Sequence, residues 1–249
     1  MVKHMYVVKI GGSVLTDKTR PFSYREKIAN EIARVLKGFK GILVHGVGSY
    51  GHPLAIKYRL WEGLRENTIE WADTRLHVLK LHMRFLEALI SNGIPAVTFG
   101  PANMVSYGLW NKKPLEEFLK YGFVPVLFGD GILDKELGLK VISGDDIVAE
   151  LSMIFREEID AVVFCVDVDG IFTDDPKKNP NAKLIKEISR ENLLKFARSS
   201  EDFSGAMKKK AESIMRIPEE IPVYIINGLK PENIKRVFKG ENPGTLVRG

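Results

Sequence analysis

The chain lacks several features that define common classes of protein. It has a single cysteine, Cys165, among 249 residues, so no disulfide can form within the chain. No apolar run reaches the roughly 18 residues of a membrane-spanning helix. The N-terminal stretch shows neither the apolar core nor the small-residue cleavage site of a signal peptide. We therefore expect a cytoplasmic globular protein with no membrane partner and with Cys165 in its core.

Glutamine is also absent, while lysine and glutamate are abundant, a bias that is common in heat-adapted proteins. Lysine and arginine (37) outnumber aspartate and glutamate (32), which gives a formal net charge of +5. This surplus favours anionic ligands such as phosphates or nucleic acid. Because the basic residues are scattered among acidic ones, the charge is also typical of proteins that bind neither.

Several catalytic signatures are missing as well. The chain contains no GxxxxGK[ST] phosphate loop, no CxxC or HExxH metal pattern and no protein-kinase signature. An EF-hand calcium site does not fit the acidic stretch 166–176. Strands with interleaved aromatic and basic residues, which are typical of RNA recognition, are not found. We therefore predict no dedicated metal site and no nucleic-acid partner.

The chain does contain a regular alternation of strand-like and helical patterns. Strands are predicted at MYVVKI, GILVH, PAVTF, VPVLF, AVVFCV, VYIIN and GTLV, and a hairpin at GILDKELGLKVI. Helices are predicted after a capping box at Ser23 and Glu26, over 68–90, from Pro114, after SGDD, from Gly205 and over PENIKRVFKG. This order predicts an α/β fold, a three-layer α/β/α sandwich with a mainly parallel central sheet, as a single domain over residues 1–249.

Glycine-rich and acidic motifs follow the predicted strands in five places. They lie at 11–13, 46–52, 129–131, 143–146 and 167–175. In open α/β sheets, ligands bind beyond the carboxyl ends of the strands. The coincidence predicts one ligand site at that edge of the sheet.

The first motif, KIGGSVLTDK, places Lys9 at the end of a strand and Gly11, Gly12 and Ser13 directly after it. Glycines let the chain turn sharply and present N–H donors to phosphate oxygens. A lysine at the strand end can reach a γ-phosphate oxygen. A plain strand–loop turn would explain the same residues.

The second motif, HGVGSYGH, follows a strand and ends on His52. It contains GxGxxG, which alone is weak evidence, and no clear acidic residue closes the next strand as a dinucleotide site would require. His52 is either a ligand of an anion held by Gly46 and Gly48 or a structural histidine. The histidines at 4, 77 and 82 are interpreted as terminal or helix-face residues.

Three further motifs follow. ISGDDI brings two carboxylates to a helix N-terminus, where capping alone would explain Asp145 or Asp146. VDVDGIFTDDP follows a strand and forms either a loop that binds a nucleotide or an ordinary Asp-rich turn. SGAMKKK starts a helix at Gly205, and Lys210 can point at an anion bound at the helix N-terminus. A solvated lysine face is the alternative, and we prefer it for Lys208.

KIGGS, HGVGSYGH, ISGDD, VDVDGIFTDDP and SGAMKKK stand in the order found in the amino acid kinase superfamily, which the chain resembles over nearly its whole length. GGSVLTDK with Lys18, the glycine loop that ends in GHP with His52, and SGDDI make the chain resemble the archaeal isopentenyl phosphate kinases within that superfamily. The resemblance implies transfer of the γ-phosphate of ATP, with Mg²⁺, to isopentenyl phosphate. It also implies a homodimer, an N-terminal half mainly on the acceptor side and a C-terminal half mainly on the ATP side.

By position in the motifs, the resemblance implies roles for individual residues. Lys9 and Lys210 flank the transferring phosphoryl group, and Asp145 orients them. N–H donors to that group come from Gly11, Gly12 and Ser13. The acceptor phosphate is bound by Gly46, His52 and Gly144. The ATP site includes Lys18, Gly48, Asp167, Gly170 and Gly205.

Two residues depart from the family pattern. Val47 replaces the middle glycine of the usual HGGG, and we expect it to adopt an ordinary φ because valine is strained at positive φ. Ala206 replaces the second glycine of the usual TGGM, which reads Ser204-Gly205-Ala206-Met207.

An isopentenyl tail needs an apolar wall, for which helix 71–90 offers candidates that core packing would explain equally well. These candidates are Trp71, Val78, Leu81, Phe85 and Leu86. The alternatives are a fosfomycin-, carbamate- or acetylglutamate-kinase-like enzyme of the same fold, or a nonenzymatic nucleotide- or RNA-binding regulator.

Overall fold

An eight-stranded sheet runs through the part of the chain that the structure, a computed structural model, describes: residues 4–174, 179–199 and 205–249. The strands of this sheet and of a smaller one are, in chain order, β1 (Met5–Ile10), β2 (Gly41–His45), β3 (Ala96–Thr98), β4 (Val105–Ser106), β5 (Leu109–Trp110), β6 (Val124–Phe128), β7 (Asp130–Asp134), β8 (Gly138–Ile142), β9 (Ile159–Val166), β10 (Glu187–Ser189), β11 (Val223–Asn227) and β12 (Thr245–Arg248). The larger sheet has the order β10-β12-β11-β9-β1-β2-β6-β3, and within it only β11 and β12 pair antiparallel. The predicted mainly parallel sheet is confirmed.

Helices cover both faces of this sheet. They are α1 (Gly12–Leu15), α2 (Glu26–Val35), α3 (Gly48–Lys57), α4 (Thr68–Ser91), α5 (Lys113–Lys120), α6 (Gly144–Ile154), α7 (Arg190–Ser199), α8 (Gly205–Ile214) and α9 (Glu232–Phe238). One apolar core joins the sheet to α2, α4 and α9, and the other joins it to α5, α6, α7 and α8. The three-layer α/β/α sandwich is therefore confirmed. None of the described helices is long and apolar enough to cross a membrane.

The alternation of side chains along β1 decides which layer receives its lysine. Val7 belongs to the core beneath α6 and α8, and Val8 belongs to the core beneath α2 and α4. Because successive side chains of a strand point to opposite faces, Lys9 lies on the face of Val7. In register with Lys9 are Val44 on β2 and Phe164 on β9.

The smaller sheet packs beside the carboxyl edge of the larger one, in the order β5-β4-β7-β8. The predicted hairpin is confirmed as β7 and β8, which pair antiparallel from Asp130 with Ile142 to Asp134 with Gly138. Gly138 has a φ of +70°, a conformation that favours glycine in the turn.

Several local predictions were wrong or incomplete. The capping box at Ser23 does not form, because Ser23 Oγ accepts from the Asp17 N–H at 2.8 Å and donates to the Asp17 carbonyl at 2.9 Å. Helix α2 begins instead after Arg25, whose side chain makes no capping bond. The sequence analysis also missed α1, α3, β4, β5, β10 and α7. Two glycines, Gly48 and Gly51, and Pro53 in α3 predict a loop, but packing against α4 makes this stretch helical.

The interpretation of His82 as a helix-face residue was also wrong. Its side chain is fully buried between α4 and the sheet, next to His45. The expectation that Cys165 belongs to the core is confirmed, and burial raises the pKa of its thiol to about 12.

Candidate functional site

Two buried lysines share one carboxylate at the carboxyl edge of the sheet. Lys9 Nζ lies 2.8 Å from Asp145 Oδ1, and Lys210 Nζ lies 2.8 Å from the same oxygen. Lys9 is 8% exposed and Lys210 is 5% exposed. The Lys210 ammonium also sits 4.3 Å from the centre of the Phe164 ring. The structure thus brings together β1, α6 and α8 through three side chains that lie far apart in sequence.

The charges of this triad are strongly coupled. Burial opposes ionisation of Asp145, but Lys210 and Lys9 outweigh it and hold the pKa of its carboxyl well below the usual range. Burial lowers the pKa of Lys210 to about 8, although Asp145 opposes the shift. With two ammonium groups and one carboxylate, the triad has a surplus positive charge that suits an anionic ligand.

The start of α6 leaves Asp145 available for the lysines. Ser143 is the N-cap, and its Oγ accepts from the Asp146 N–H, while Asp146 accepts in return from the Ser143 N–H at 3.1 Å. Asp146 also pairs with Arg216. Capping therefore explains Ser143 and Asp146 and does not explain Asp145, which turns into the site.

Three glycines let two chain segments meet backbone to backbone beside Lys9. A Cβ on Gly12 would lie 2.4 Å from the Gly48 nitrogen, and a Cβ on Gly46 would lie 2.6 Å from the Gly12 nitrogen. Gly48 has a φ of +48° as well, and a Cβ there would lie 2.2 Å from Thr16 Oγ1. Larger residues would push α1 and α3 apart and open the site.

Not every predicted N–H donor is available. The Gly11 N–H donates to the Cys165 carbonyl at 2.9 Å, so the prediction that it binds a phosphate is corrected. The Gly46 N–H likewise donates to the Ile10 carbonyl at 2.9 Å. Gly46 can therefore approach a ligand closely with its backbone but does not offer it an N–H donor. Gly12 and Ser13 open α1, where the first N–H groups have no partner within a helix.

The same reasoning applies to two other helix starts. Gly48 opens α3 and Gly144 opens α6, so their N–H groups point out of the first turns. A Cβ on Gly144 would lie 3.2 Å from Lys9 Cε, which shows how closely α6 approaches the lysine. Three helix N-termini with positive dipole ends therefore converge on the triad.

Val47 fits the site through an ordinary backbone conformation, as expected from the sequence. Its φ is −79° and its ψ is −15°. The side chain occupies space that two glycines leave open: a Cβ on Gly51 would lie 2.6 Å from Val47 Cβ, and one on Gly129 would lie 3.0 Å from Val47 Cγ1. The Val47 side chain therefore fits because its neighbours Gly51 and Gly129 have no side chains.

His52 lies on α3, two turns of chain beyond Gly46, and its imidazole lines the same cavity as Lys9. Partial desolvation lowers the pKa of His52, and the positive charges of Lys9, Lys18 and Lys209 lower it further. The imidazole is therefore neutral at pH 7 in the free protein and can still donate one hydrogen bond.

A cavity of about 430 Å³ joins the triad to an apolar region. Its polar end is formed by Lys9, Gly12, Gly46, His52, Gly144 and Asp145. Its apolar walls include Leu60, Trp71, Val78, Leu139, Val141 and Ile142. The cavity is thus a single space that is cationic at one end and apolar at the other.

Only part of the predicted apolar wall lies at this cavity. Trp71 and Val78 line it, whereas Leu81 and Phe85 pack into the core between α4 and the sheet, and Leu86 is half-buried at the edge of that core. The difference follows from position along the helix, because only the N-terminal half of α4 passes the cavity. The contribution of the β8 hairpin was not predicted, since nothing local indicates that it folds over α4.

An ion pair at the wall of the cavity was also missed. Arg75 Nε donates to Asp130 Oδ1 at 3.1 Å, and Asp130 accepts from the backbone of Ala102 and Gly131 as well. Burial raises the pKa of Asp130, and Arg75 opposes that shift. The pair ties α4 to the start of β7 and so fixes the width of the cavity.

The remaining predicted residues are not part of the cavity lining. Ser13 Oγ donates to Asp167 Oδ1 at 2.9 Å. Gly170 has a φ of +151°, and a Cβ there would lie 2.6 Å from Thr245 Oγ1. Gly205 begins α8, Lys18 is exposed, and Ser204 lies outside the described residues. In the part of the chain that the structure describes, no group of three His, Cys, Asp or Glu residues is placed to hold a metal ion.

Comparison with known proteins agrees with this architecture. The profile of the amino acid kinase family matches residues 4–227. The chain belongs to the amino acid kinase family.

Within this family, the isopentenyl phosphate kinase of Thermoplasma acidophilum is 34% identical to this chain, over 98% of this chain and 100% of the relative. The isopentenyl phosphate kinase of Methanothermobacter thermautotrophicus is 35% identical over 98% of this chain and 99% of the relative. A crystal structure of the T. acidophilum enzyme in its product complex has a TM-score of 0.85 to this chain, with 31% identity over 98% of this chain and 100% of that one.

We predict that Gly12→Ala lowers the free energy of unfolding by about 1–3 kcal/mol, because its Cβ would collide with the backbone of Gly48. Urea denaturation measures the change. Gly100→Ala is the matched control, since its Cβ would meet no atom closer than 3.5 Å. Equal stability of the two variants would contradict the proposed backbone contact.

Proposed function

We propose that this protein transfers the γ-phosphoryl group of ATP to isopentenyl phosphate, which gives isopentenyl diphosphate and ADP. The carrying observation is the cavity, whose cationic end holds Lys9 and His52 and whose other end is apolar. A phosphate monoester with a short hydrocarbon tail matches both ends. The relatives described above are isopentenyl phosphate kinases that match nearly the whole chain.

The acceptor needs no general base. The second pKa of a phosphate monoester is about 6, so the group is mostly a dianion at pH 7 and is already a nucleophile. The obstacle is repulsion between two highly charged phosphates. Lys9 and Lys210 reduce this repulsion, and Asp145 holds both ammonium groups at one point.

His52 completes the acceptor site from the other side. Its neutral imidazole donates a hydrogen bond to the acceptor phosphate, and the dianion in turn favours protonation of the ring. The N–H groups at the starts of α1, α3 and α6 bind the remaining phosphate oxygens. An acceptor that presented a carboxylate would need this histidine less.

ATP lies, in this proposal, beyond the triad, near Ser13, Asp167, Gly170 and the start of α8. Mg²⁺ binds in such sites through nucleotide phosphates, water and at most one or two carboxylates. The described residues fit this mode: Asp145 is engaged by two lysines, and Asp167, which accepts from Ser13 Oγ, is the carboxylate that this proposal places beside the nucleotide. When bound, the ion neutralises charge on the β- and γ-phosphates.

In this proposal, the two halves of the chain form different substrate sites. The cavity residues come from positions 9–145, most of them in the N-terminal half, which supports an acceptor side formed mainly by that half. Lys210, Asp167 and Gly170 belong to the C-terminal half, which this proposal assigns mainly to the donor. Because β1 and β9 are neighbours in the sheet, the two substrates meet at the junction of the halves.

We predict that ADP release from Mg-ATP is fastest with isopentenyl phosphate in a panel that includes carbamate, acetylglutamate, UMP and fosfomycin. His52→Ala should lower kcat/KM for isopentenyl phosphate by about 100-fold, because a donor to the acceptor phosphate is lost. His4→Ala is the control, since His4 is exposed at the opposite end of β1.

Faster turnover of another acceptor would contradict the assigned substrate, and full activity of the His52 variant would contradict the role of that histidine. Salt-dependent retention of RNA without ATP turnover would favour the nonenzymatic alternative instead.

We predict that kcat/KM for ATP falls as pH rises above about 8, because Lys210 in the free protein loses its proton there and with it the charge that binds phosphate. Lys210→Arg should remove this decline, since arginine stays charged. Lys209→Arg is the control and should leave the decline in place. A decline that persists in the Lys210 variant would contradict the assignment.

We further propose that the protein is a homodimer that pairs through α4. The outer face of this helix carries apolar side chains at intervals of seven residues, namely Ile69, Leu76, Met83 and Ile90, which are 76%, 51%, 57% and 54% exposed. Ala72, Leu79 and Leu86 stand at the intervening positions of the same heptads. A contiguous exposed stripe of this kind fits a second copy of the same helix.

We predict that wild-type protein sediments as a dimer and that the double substitution Leu76→Glu and Met83→Glu yields a monomer, because buried glutamates repel across the seam. Leu109→Glu is the control, since Leu109 is 78% exposed on the smaller sheet. A monomeric wild type, or a dimer that survives the double substitution, would contradict the proposal.

A further inference from the structure

Two buried histidines lie directly beneath the glycine segment of the acceptor site. His45 Nε2 is 3.0 Å from His82 Nδ1, and His82 Nε2 is 2.9 Å from Thr98 Oγ1. At the other end, His45 Nδ1 is 3.1 Å from the carbonyl oxygen of Gly46. Both imidazoles are fully buried, and neither has a part in the chemistry described above.

These three hydrogen bonds form a series from Gly46 through His45 and His82 to Thr98. The Gly46 end fixes the direction of every hydrogen bond in the series. The carbonyl of Gly46 can only accept, so His45 Nδ1 must carry the proton. His45 Nε2 then accepts, which makes His82 Nδ1 the donor. His82 Nε2 is left to accept from the hydroxyl of Thr98.

The surroundings keep both rings neutral. The Phe128 ring lies tilted against His82 at 4.4 Å and stacks on His45 at 5.7 Å, while Phe85 meets His45 edge-on at 5.7 Å. Burial, aided by the charge of Lys9, lowers the pKa of His45 to about 4, although the hydrogen bond to Gly46 opposes the shift. Burial likewise lowers the pKa of His82 to about 3. The hydrogen-bond directions therefore stay the same across the physiological range of pH.

The anchored carbonyl belongs to the peptide that joins Gly46 to Val47. The described backbone has no cis peptide bonds, so the N–H of Val47 points away from the Gly46 carbonyl and from His45. Gly46 and Val47 both line the cavity next to Lys9. No acceptor among the described residues takes the Val47 N–H.

We propose that His45, His82 and Thr98 are positioning residues that hold the Gly46–Val47 peptide with its N–H directed at the phosphate of the acceptor. This inference rests on the proposed function for the identity of the anion, and the geometry of the peptide is independent of it. The hydrogen-bond series restrains this peptide at the Gly46 carbonyl. The Val47 side chain, which packs against Gly51, restrains the same peptide at its other end.

This arrangement also accounts for valine at position 47. A glycine there would leave the peptide free to rotate about two unrestrained bonds. With valine in place and His45 bonded to the carbonyl, the donor is preorganised before the substrate arrives. Binding then loses less conformational entropy.

The first test uses the wild-type protein and needs no variant. ¹⁵N NMR of the histidine rings should show His45 and His82 as neutral Nδ1–H tautomers from about pH 6 to pH 8. The backbone amide of Val47 should shift when inorganic phosphate is added. An Nε2–H tautomer or a charged ring at either histidine, or an unmoved Val47 amide, would overturn the proposal.

The second test separates binding from chemistry. His45→Phe keeps an aromatic ring and removes the donor, so KM for isopentenyl phosphate should rise about tenfold while kcat and KM for ATP change less than threefold. Thr98→Val should have a smaller effect in the same direction, because it removes only the last hydrogen bond of the series, the one between Thr98 and His82. His77→Phe, at a half-buried histidine of α4 that contacts Phe22 and Asp73, is the control and should leave all constants unchanged.

Failure of this inference is distinguishable from failure of the proposed function. If wild-type protein phosphorylates isopentenyl phosphate and the His45 variant keeps its KM, the positioning role is overturned and the function stands. If wild-type protein does not use this acceptor, the ring tautomers and the response of Val47 to inorganic phosphate still decide the positioning role.

Discussion

The site depends on one carboxylate oxygen that holds two buried ammonium groups. Two lysines brought together in a nearly dry place would repel each other, and each would cost free energy to desolvate. Asp145 offsets part of both costs and leaves one surplus charge for the substrate. The capping of α6 by Ser143 and Asp146 is what frees Asp145 for this purpose.

Close backbone contact is the second constraint, and it links the triad to the acceptor cavity. Gly12 and Gly48 meet without side chains between them, which lets α1 and α3 begin beside Lys9. Helix α4 contributes to two surfaces of the molecule. Its inner face supplies Trp71 and Val78 to the cavity, and its outer face bears the apolar heptad stripe.

Much of this architecture could be predicted from the sequence. Alternating apolar runs gave the sheet and its helices, and the glycine and acidic motifs indicated the edge at which the site lies. Contacts that depend on tertiary packing could not be predicted. Helix α3 forms despite its glycines and Pro53, because α4 stabilises it, and His82 turns inward because its partner is on β2. The engaged N–H of Gly11 is likewise visible only once β9 lies beside it.

The most direct test of the central claim is the single-turnover rate of phosphoryl transfer in Asp145→Asn. The rate should fall by at least about 100-fold because the two lysines lose their common anchor, while Asp146→Asn, which alters the adjacent cap, should stay within about threefold of wild type. An Asp145→Asn variant that is folded and transfers the phosphoryl group at the wild-type rate would contradict the account.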